Sequence, residues 1–129
     1  MHLHGEEQDI FLPGAGHHIL EIEGWRLGLA VCYDAAVPEH ARAARDAGAD
    51  AYVVSALYAT GDKHRLLEQT SRAAALGLWV AVSQYVGATG PYRTIGRSGI
   101  WRPDGVALEQ LSEDQPGLAT AQLHASTTG

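Results

Sequence analysis

Cys32 is the residue of this sequence with the most direct potential for chemistry. It is the single cysteine among 129 residues, so an internal disulfide cannot form. The apolar run from Trp25 to Val31 predicts a buried strand that ends just before it. A helix is expected to follow, because Pro38 suits a first helical turn. At such a junction the helix dipole favours a thiolate, and backbone amides can face a developing oxyanion. The position alone fits a reactive thiol and a packed cysteine equally well.

Strands and helices alternate along the predicted chain. The expected strands span residues 19–22, 25–31, 51–56, 78–83, 98–102, 106–109 and 118–123. The expected helices span residues 37–47 and 61–76. The second helix has one apolar stripe, made of Leu66, Thr70, Ala73 and Gly77 with Leu67 and Ala74 beside it. This alternation predicts an α/β domain.

The composition argues against two classes of partner. The formal net charge is −6 and the isoelectric point is near 5.5, whereas nucleic acid requires a basic surface. No apolar run reaches the roughly 18 residues that a membrane-spanning helix needs. The first seven residues lack the basic and apolar parts of a secretion signal. We therefore expect a cytoplasmic protein that binds neither nucleic acid nor membranes.

Histidines are the other candidates for metal or proton chemistry. Four of them lie near the start of the chain, at His2, His4, His17 and His18. Their spacing lacks the ligand pattern of a zinc module, and a single cysteine adds little to it. We predict no metal site. His40 and His64 are expected to be ordinary surface residues.

Several segments, in a fixed order, resemble the nitrilase superfamily of carbon–nitrogen hydrolases. The run from Gly28 to Asp34, followed by Pro38-Glu39 and Arg42, resembles the nucleophile segment of that family. Residues 2–7, continued by 11–14, resemble the stretch that follows the family's catalytic lysine. The further matches are Arg72-Ala73, Val86-Gly87, Gly96-Arg97-Ser98 and Pro103-Asp104-Gly105. The resemblance covers residues 1–123 as the C-terminal part of the family's domain and leaves 124–129 as a frayed tail.

The resemblance implies a fold and an activity. The expected fold is part of an α-β-β-α sandwich of the carbon–nitrogen hydrolase type. The expected activity is hydrolysis of non-peptide carbon–nitrogen bonds in small amides, nitriles or carbamoyl compounds. The family uses Glu, Lys and Cys, requires no metal or organic cofactor, and commonly forms homo-oligomers.

Individual roles carry over by position. The resemblance implies that Cys32 is the nucleophile and forms a thioester or thioimidate with the substrate. The backbone amide of Tyr33 would help to bind the oxyanion. Glu7, with Glu6 as its rival, would orient the lysine or the attacking water. Tyr58 would line the substrate pocket.

The departure from the family pattern lies upstream of the matched segments. The family's general-base Glu and its lysine would fall before Met1, and the sole lysine of this sequence, Lys63, lies on a different predicted element. We therefore predict that this chain alone has little or no hydrolase activity. Half of the sandwich would also be missing, so the chain should expose apolar faces that promote association.

Two alternatives to an enzyme remain open. The first is a non-catalytic assembly module that keeps the fold and an oligomer surface but lacks the base and the lysine. The second is a thiol redox sensor that uses Cys32 alone, which requires an exposed thiol of low pKa. Substrate, reaction subtype and subunit number do not follow from the sequence.

Overall fold

A computed structural model describes residues 19–31, 34–35, 37–89 and 91–124 of the chain. Its larger strands are β1 (Ile19–Ile22), β2 (Trp25–Val31), β3 (Ala51–Ala56) and β4 (Trp79–Gln84). Its smaller strands are β5 (Ala88–Thr89), β6 (Tyr92–Arg93), β7 (Gly99–Trp101) and β8 (Ala107–Gln110). The helices are α1 (Pro38–Asp46) and α2 (Lys63–Ala75), and a short 3-10 turn at Thr60–Asp62 precedes α2. The predicted α/β class is confirmed.

Six strands form one mixed sheet in the order β1-β2-β3-β4-β7-β8. Strands β2, β3 and β4 run parallel, and the connections between them are α1 and α2. Strands β1, β7 and β8 pair antiparallel at the two sides of this parallel centre. Parallel strands end at the same edge of a sheet, so the residues that follow β2, β3 and β4 come together there.

The two faces of the sheet differ in cover. The helix-covered face is lined by Ala30, Tyr52, Val54, Val80 and Val82, each 1–3% exposed. The open face is lined over β1 and β2 by Leu20, Ile22, Leu29 and Val31, which are 36–54% exposed. The strand register assigns each residue to one of the two faces, because residues paired across neighbouring strands point to the same side of the sheet. Apolar residues on both faces explain the uninterrupted apolar run of β2.

Gly28 permits the close approach of α1 to the sheet. A Cβ at this position would lie 2.9 Å from the Cβ of Ala44, on the inner side of α1. Real Cβ atoms do not come that close, so a side chain here would push the helix away. The sequence pattern Gly-Leu-Ala in β2 therefore has a packing reason as well as a family resemblance.

The structure corrects three expectations. Residues 118–123 form no strand, so the predicted last strand is wrong. Leu67 is 70% exposed, although it lies beside Leu66 and Thr70, which are buried, so the buried stripe of α2 is narrower than expected. His40 is 5% exposed, so its expected surface position is also wrong.

Candidate active site

The carboxyl ends of the three parallel strands frame an open cleft of about 550 Å³. Its lining comes from the ends of β2, β3 and β4 and the residues just beyond them, namely Val31, Ser55, Ala56, Leu57, Ser83, Gln84 and Tyr85. Ligands of open α/β sheets bind at this edge, because the loops that follow parallel strands converge there. Cys32 follows Val31 directly in the chain.

Three of the four predicted site residues lie outside the described part of the chain. These are Glu7, Cys32 and Tyr33, so their roles stay predictions. The residues on either side of Cys32 and Tyr33 are described. Val31 ends β2 and contributes to the cleft, and Asp34 begins the segment that leads to α1.

A hydrogen bond joins the described residues on either side of Cys32 and Tyr33. The backbone N–H of Val31 donates to Oδ2 of Asp34 at 3.2 Å. The backbone oxygen of Asp34 accepts from the N–H of Val37 at 3.2 Å, one residue before α1. The Asp34 side chain is 3% exposed. Asp34 thus binds the end of β2 through its carboxylate and the residue before α1 through its backbone oxygen.

Tyr58, the fourth predicted site residue, is firmly held just after β3. It is 2% exposed, and its hydroxyl donates to Oε1 of Gln69 on α2 at 2.7 Å. Its backbone N–H donates to Oε1 of Gln84 at 3.1 Å, and its carbonyl accepts from the N–H of Ile95 at 3.0 Å. Both glutamines are buried. These bonds fix the backbone beside Leu57, which lines the cleft. The role of Tyr58 in binding substrate stays a prediction.

Sequence reasoning missed a buried polar group beneath this edge. His40 of α1 and Tyr52 of β3 share a hydrogen bond of 2.7 Å between Nδ1 and the phenol oxygen. Burial raises the pKa of Tyr52 well above its ordinary value, and the negative charge of Asp34 raises it further. Arg72 of α2 acts in the opposite direction, and its Nη1 donates to the backbone oxygen of Ala35 at 3.5 Å. The sequence signal for this group was the phenol of Tyr52 inside the apolar strand β3.

Lys63 lies away from the cleft. It begins α2, and its Nζ pairs with Oε1 of Glu113 at 3.1 Å. Lys63 therefore forms an exposed ion pair on α2 and does not line the cleft.

The sequence and the fold are both similar to those of known proteins. The model of the family described as "Carbon-nitrogen hydrolase" matches residues 1–129. This chain belongs to the carbon–nitrogen hydrolase family. A curated relative from Pseudomonas protegens, described as a hydrolase in the pqqF 5′ region, is 34% identical over 117 residues. That alignment covers 87% of this chain and 41% of the relative.

Solved amidases of the nitrilase superfamily share the fold. A cysteine-to-alanine variant of an amidase from Nesterenkonia matches with a TM-score of 0.79 at 31% identity, over 89% of this chain and 44% of that one. A second structure of an amidase from that genus matches with a TM-score of 0.77 at 32% identity, over 90% and 45%. The predicted membership of the nitrilase superfamily and the predicted fold type are confirmed. This carbon–nitrogen hydrolase chain spans less than half the length of these relatives.

Another Nesterenkonia structure concerns the chemistry of that enzyme. A glutamate-to-glutamine variant carries the acetamide moiety of fluoroacetamide, added covalently at its active-site cysteine. It matches this chain with a TM-score of 0.75 at 31% identity, over 87% of this chain and 43% of that one.

The described ranges contain neither a metal-ligand cluster nor a membrane-spanning helix. No group of three or more His, Cys, Asp or Glu side chains is arranged there to hold a metal ion. Neither α1 nor α2 is long and apolar enough to cross a membrane. The four histidines near the start of the chain lie outside the described residues, and the cytoplasmic location stays a prediction.

Proposed function

We propose that this chain supplies the nucleophile of an amidase-type hydrolase that acts on a small amide. Cys32 attacks the carbonyl carbon, the amine leaves, and water then hydrolyses the thioester on sulfur. A nitrile would instead give a thioimidate at the same sulfur.

The cleft at the carboxyl edge carries this proposal. Val31 lines it, and Cys32 is the next residue of the chain. The remaining lining is mostly small or apolar and leaves room for a short amide among Ser55, Ala56 and Ser83. The family membership supports the same reading, as does the cysteine adduct in the Nesterenkonia amidase.

Tyr33 and Glu7 keep their predicted roles within the proposal, whereas Tyr58 takes a supporting one. The backbone amide of Tyr33 donates to the oxyanion, which is worth most where donors are preorganised. Glu7 orients the attacking water or a lysine. Tyr58 supports the wall of the cleft, since its backbone is bonded on both sides.

The proposal includes low activity for this chain by itself. No residue of the 129 matches the family's general base or lysine by position. The thiol would then attack without a proton acceptor and with part of an oxyanion site. We expect the purified chain to release little or no ammonia from butyramide or acetamide.

A non-catalytic assembly module is the second candidate, and the open face favours it. Leu20, Ile22, Leu29 and Val31 form a band of exposed apolar side chains across β1 and β2. Such a band promotes association with another apolar surface. It is compatible with the first candidate too, so a test of the thiol decides between the two.

Fluoroacetamide provides that test. Fluoride leaves carbon reluctantly, so an ordinary thiol reacts slowly, whereas an activated thiol beside an amide-binding cleft should displace it. We expect the mass of the chain to rise by one carboxamidomethyl group, with peptide mapping that assigns it to Cys32. The rate should exceed that of a thiol of ordinary pKa by about tenfold at pH 7, since such a thiol is only a few per cent ionised.

The control is Cys32→Ser, which should take up no label because the sequence has no other cysteine. A labelling rate equal to that of free glutathione would contradict an activated nucleophile and favour the assembly module.

A further inference from the structure

A groove of about 320 Å³ lies between α2 and the strands β7 and β8. Trp101 of β7 and Gln110 of β8 line it on the sheet side, and Leu66, Leu67 and Thr70 line it on the helix side. Its volume is at the lower end of the range for small-molecule pockets, which is about 300–1,000 Å³. The lining shares no residue with the cleft at the carboxyl edge, so the groove is a separate cavity.

The apolar part of the groove has a packed base and an open rim. Leu66 is 4% exposed and Trp101 is 7% exposed at the base, whereas Leu67 is 70% exposed at the rim. An indole ring and leucine side chains offer a surface on which an aliphatic or aromatic group can be buried. Part of a ligand of this groove should therefore be apolar.

Three basic side chains also line the groove. They are Lys63 and His64 at the start of α2 and Arg97 just before β7. Among the described residues of the lining, none is Asp or Glu, although the formal net charge of the chain is −6. A lining of this composition is complementary to an anion that carries an apolar group.

The backbone holds Arg97 in an unusual conformation. Its φ is 61°, in the left-handed region that residues other than glycine seldom occupy. Its N–H donates to the backbone oxygen of Ser112 at 3.2 Å. Gly96 before it has a φ of 57°, and a Cβ there would lie 2.8 Å from the backbone oxygen of Glu113. Strain of this kind is concentrated where a side chain must be held for binding.

A carboxylate of the chain itself binds two of the three basic residues. Oε1 of Glu113 pairs with Nζ of Lys63 at 3.1 Å and with Nη2 of Arg97. The hydrogen bond from Lys63 and the charge of Arg97 hold the pKa of Glu113 below its ordinary value. One carboxylate does not neutralise two cations, and exposed ion pairs are weak enough to exchange partners. A carboxylate from solution can therefore share or replace Glu113.

We propose that this groove binds a small carboxylate with an apolar tail. Lys63 and Arg97 contact its carboxylate, and the tail lies along Leu66 and Trp101. Glu113 competes with the ligand for the two cations. This site is independent of the proposed function, because no residue of the cleft takes part in it.

Phenylacetate is the probe for this site, and phenethyl alcohol is its neutral counterpart. Binding to the isotope-labelled full chain is followed through the NMR signal of the Trp101 indole N–H, which Trp101→Phe assigns. We expect phenylacetate to shift this signal with a Kd of about 1 mM or below. The alcohol should bind at least about threefold more weakly, because it cannot pair with the cations. An unchanged signal, or equal binding of the two compounds, would overturn the proposal.

Substitution of the cations and of their internal competitor should have opposite effects. Lys63→Gln and Arg97→Asn should each weaken the binding of phenylacetate by about threefold or more. Asparagine is used at the second position because it tolerates a left-handed backbone. Glu113→Gln should strengthen binding by about threefold, because it releases both cations. Unchanged or weaker binding in Glu113→Gln would contradict the competition on which the proposal depends.

Arg45→Asn is the matched control for total charge. The side chains of Arg45 and Arg97 are both 43% exposed, but Arg45 pairs with Asp46 and does not line the groove. We expect Arg45→Asn to bind phenylacetate with the same Kd as the unsubstituted chain. Equal losses in Arg45→Asn and Arg97→Asn would reveal a general charge effect and would overturn the site.

Discussion

The two faces of the central sheet are built from similar residues but have different surroundings. On the helix-covered face, Val54 and Val80 are each 1% exposed beneath α1 and α2. On the open face, Leu29 and Val31 are 36% and 54% exposed. The strand residues on both sides are apolar, which is typical of a sheet whose two faces are both buried. The helices cover one face, and the open face fits the expectation of a second layer.

The open face is not uniformly bare. Residues 117–119 cross it near Val53 and Ala81 and enclose a cavity of about 290 Å³. Over β1 and β2 the apolar side chains of Leu20, Ile22, Leu29 and Val31 stay exposed. Cys32 follows the most exposed residue of β2, so the site adjoins the region where a second layer would pack.

The largest contrast is expected from valine truncation on the two faces. Val54→Ala should lower the free energy of unfolding by about 2–3 kcal/mol, because it removes two buried methyl groups and leaves a cavity. Val31→Ala is the matched control and should change it by less than about 0.5 kcal/mol, since that side chain is half exposed. Urea unfolding of the two variants measures the difference. Equal losses would mean that the open face is covered in solution.

Gly28→Ala tests how tightly the covered face is packed. The added methyl would meet Ala44 at 2.9 Å, so we expect a loss of about 2 kcal/mol in the free energy of unfolding. Gly61→Ala is the control, because nothing lies within 4 Å of a Cβ at that position. A neutral Gly28→Ala variant would show that α1 is free to shift from β2.

Tyr52→Phe tests the polar group within the same face. Loss of the phenol leaves Nδ1 of His40 without this bond, and the expected loss is about 1 kcal/mol. Tyr85→Phe, on a half-exposed ring, should be neutral. Guanidinium unfolding at pH 7 separates the two variants, and equal values would argue against a contribution from the His40–Tyr52 bond.

The same variant predicts a dependence on pH. Because the folded chain raises the pKa of Tyr52, the unfolded chain loses that proton first as the pH passes about 10. Above this pH the free energy of unfolding should therefore fall more steeply in the unsubstituted chain than in Tyr52→Phe, by up to about 1.4 kcal/mol per pH unit. Parallel slopes for the two proteins would contradict the raised pKa.

Leu29→Gln should have the smallest effect on stability and still change the surface. The side chain already contacts water, so the free energy of unfolding should change by less than about 0.5 kcal/mol. Binding of a hydrophobic dye to the native chain should fall, because the apolar band is interrupted. Unchanged dye binding would place the accessible apolar surface elsewhere.

Local sequence patterns predicted most elements of this fold. The strands β2 and β3 and the turn at Pro103-Asp104-Gly105 were predicted correctly. Apolar periodicity, proline and glycine determine local structure within a few residues, so the sequence alone indicates them. The buried position of His40 was missed, since its partner Tyr52 lies on another element. The false strand at 118–123 had suitable residues, but residues 117–119 cross the open face of the sheet and do not pair along its edge.

The site also has some features that local sequence predicts and others that require the fold. The end of β2 and the start of α1, which lie on either side of Cys32, follow from local sequence. The hydrogen bond from Val31 to Asp34 and the approach of Arg72 depend on how α1 and α2 pack, and this requires the fold. The second strand pair, β5 with β6, was also missed, because each strand has two residues.

The most direct test compares the reactivity of Cys32 in the folded chain and in the chain unfolded by urea, with iodoacetamide at pH 7. We expect folding to raise the alkylation rate by about tenfold, because the positive end of the α1 dipole favours a thiolate at Cys32 beside an open cleft. A rate that falls on folding would mean that the sulfur is packed away from the cleft, and the proposed nucleophile would be abandoned.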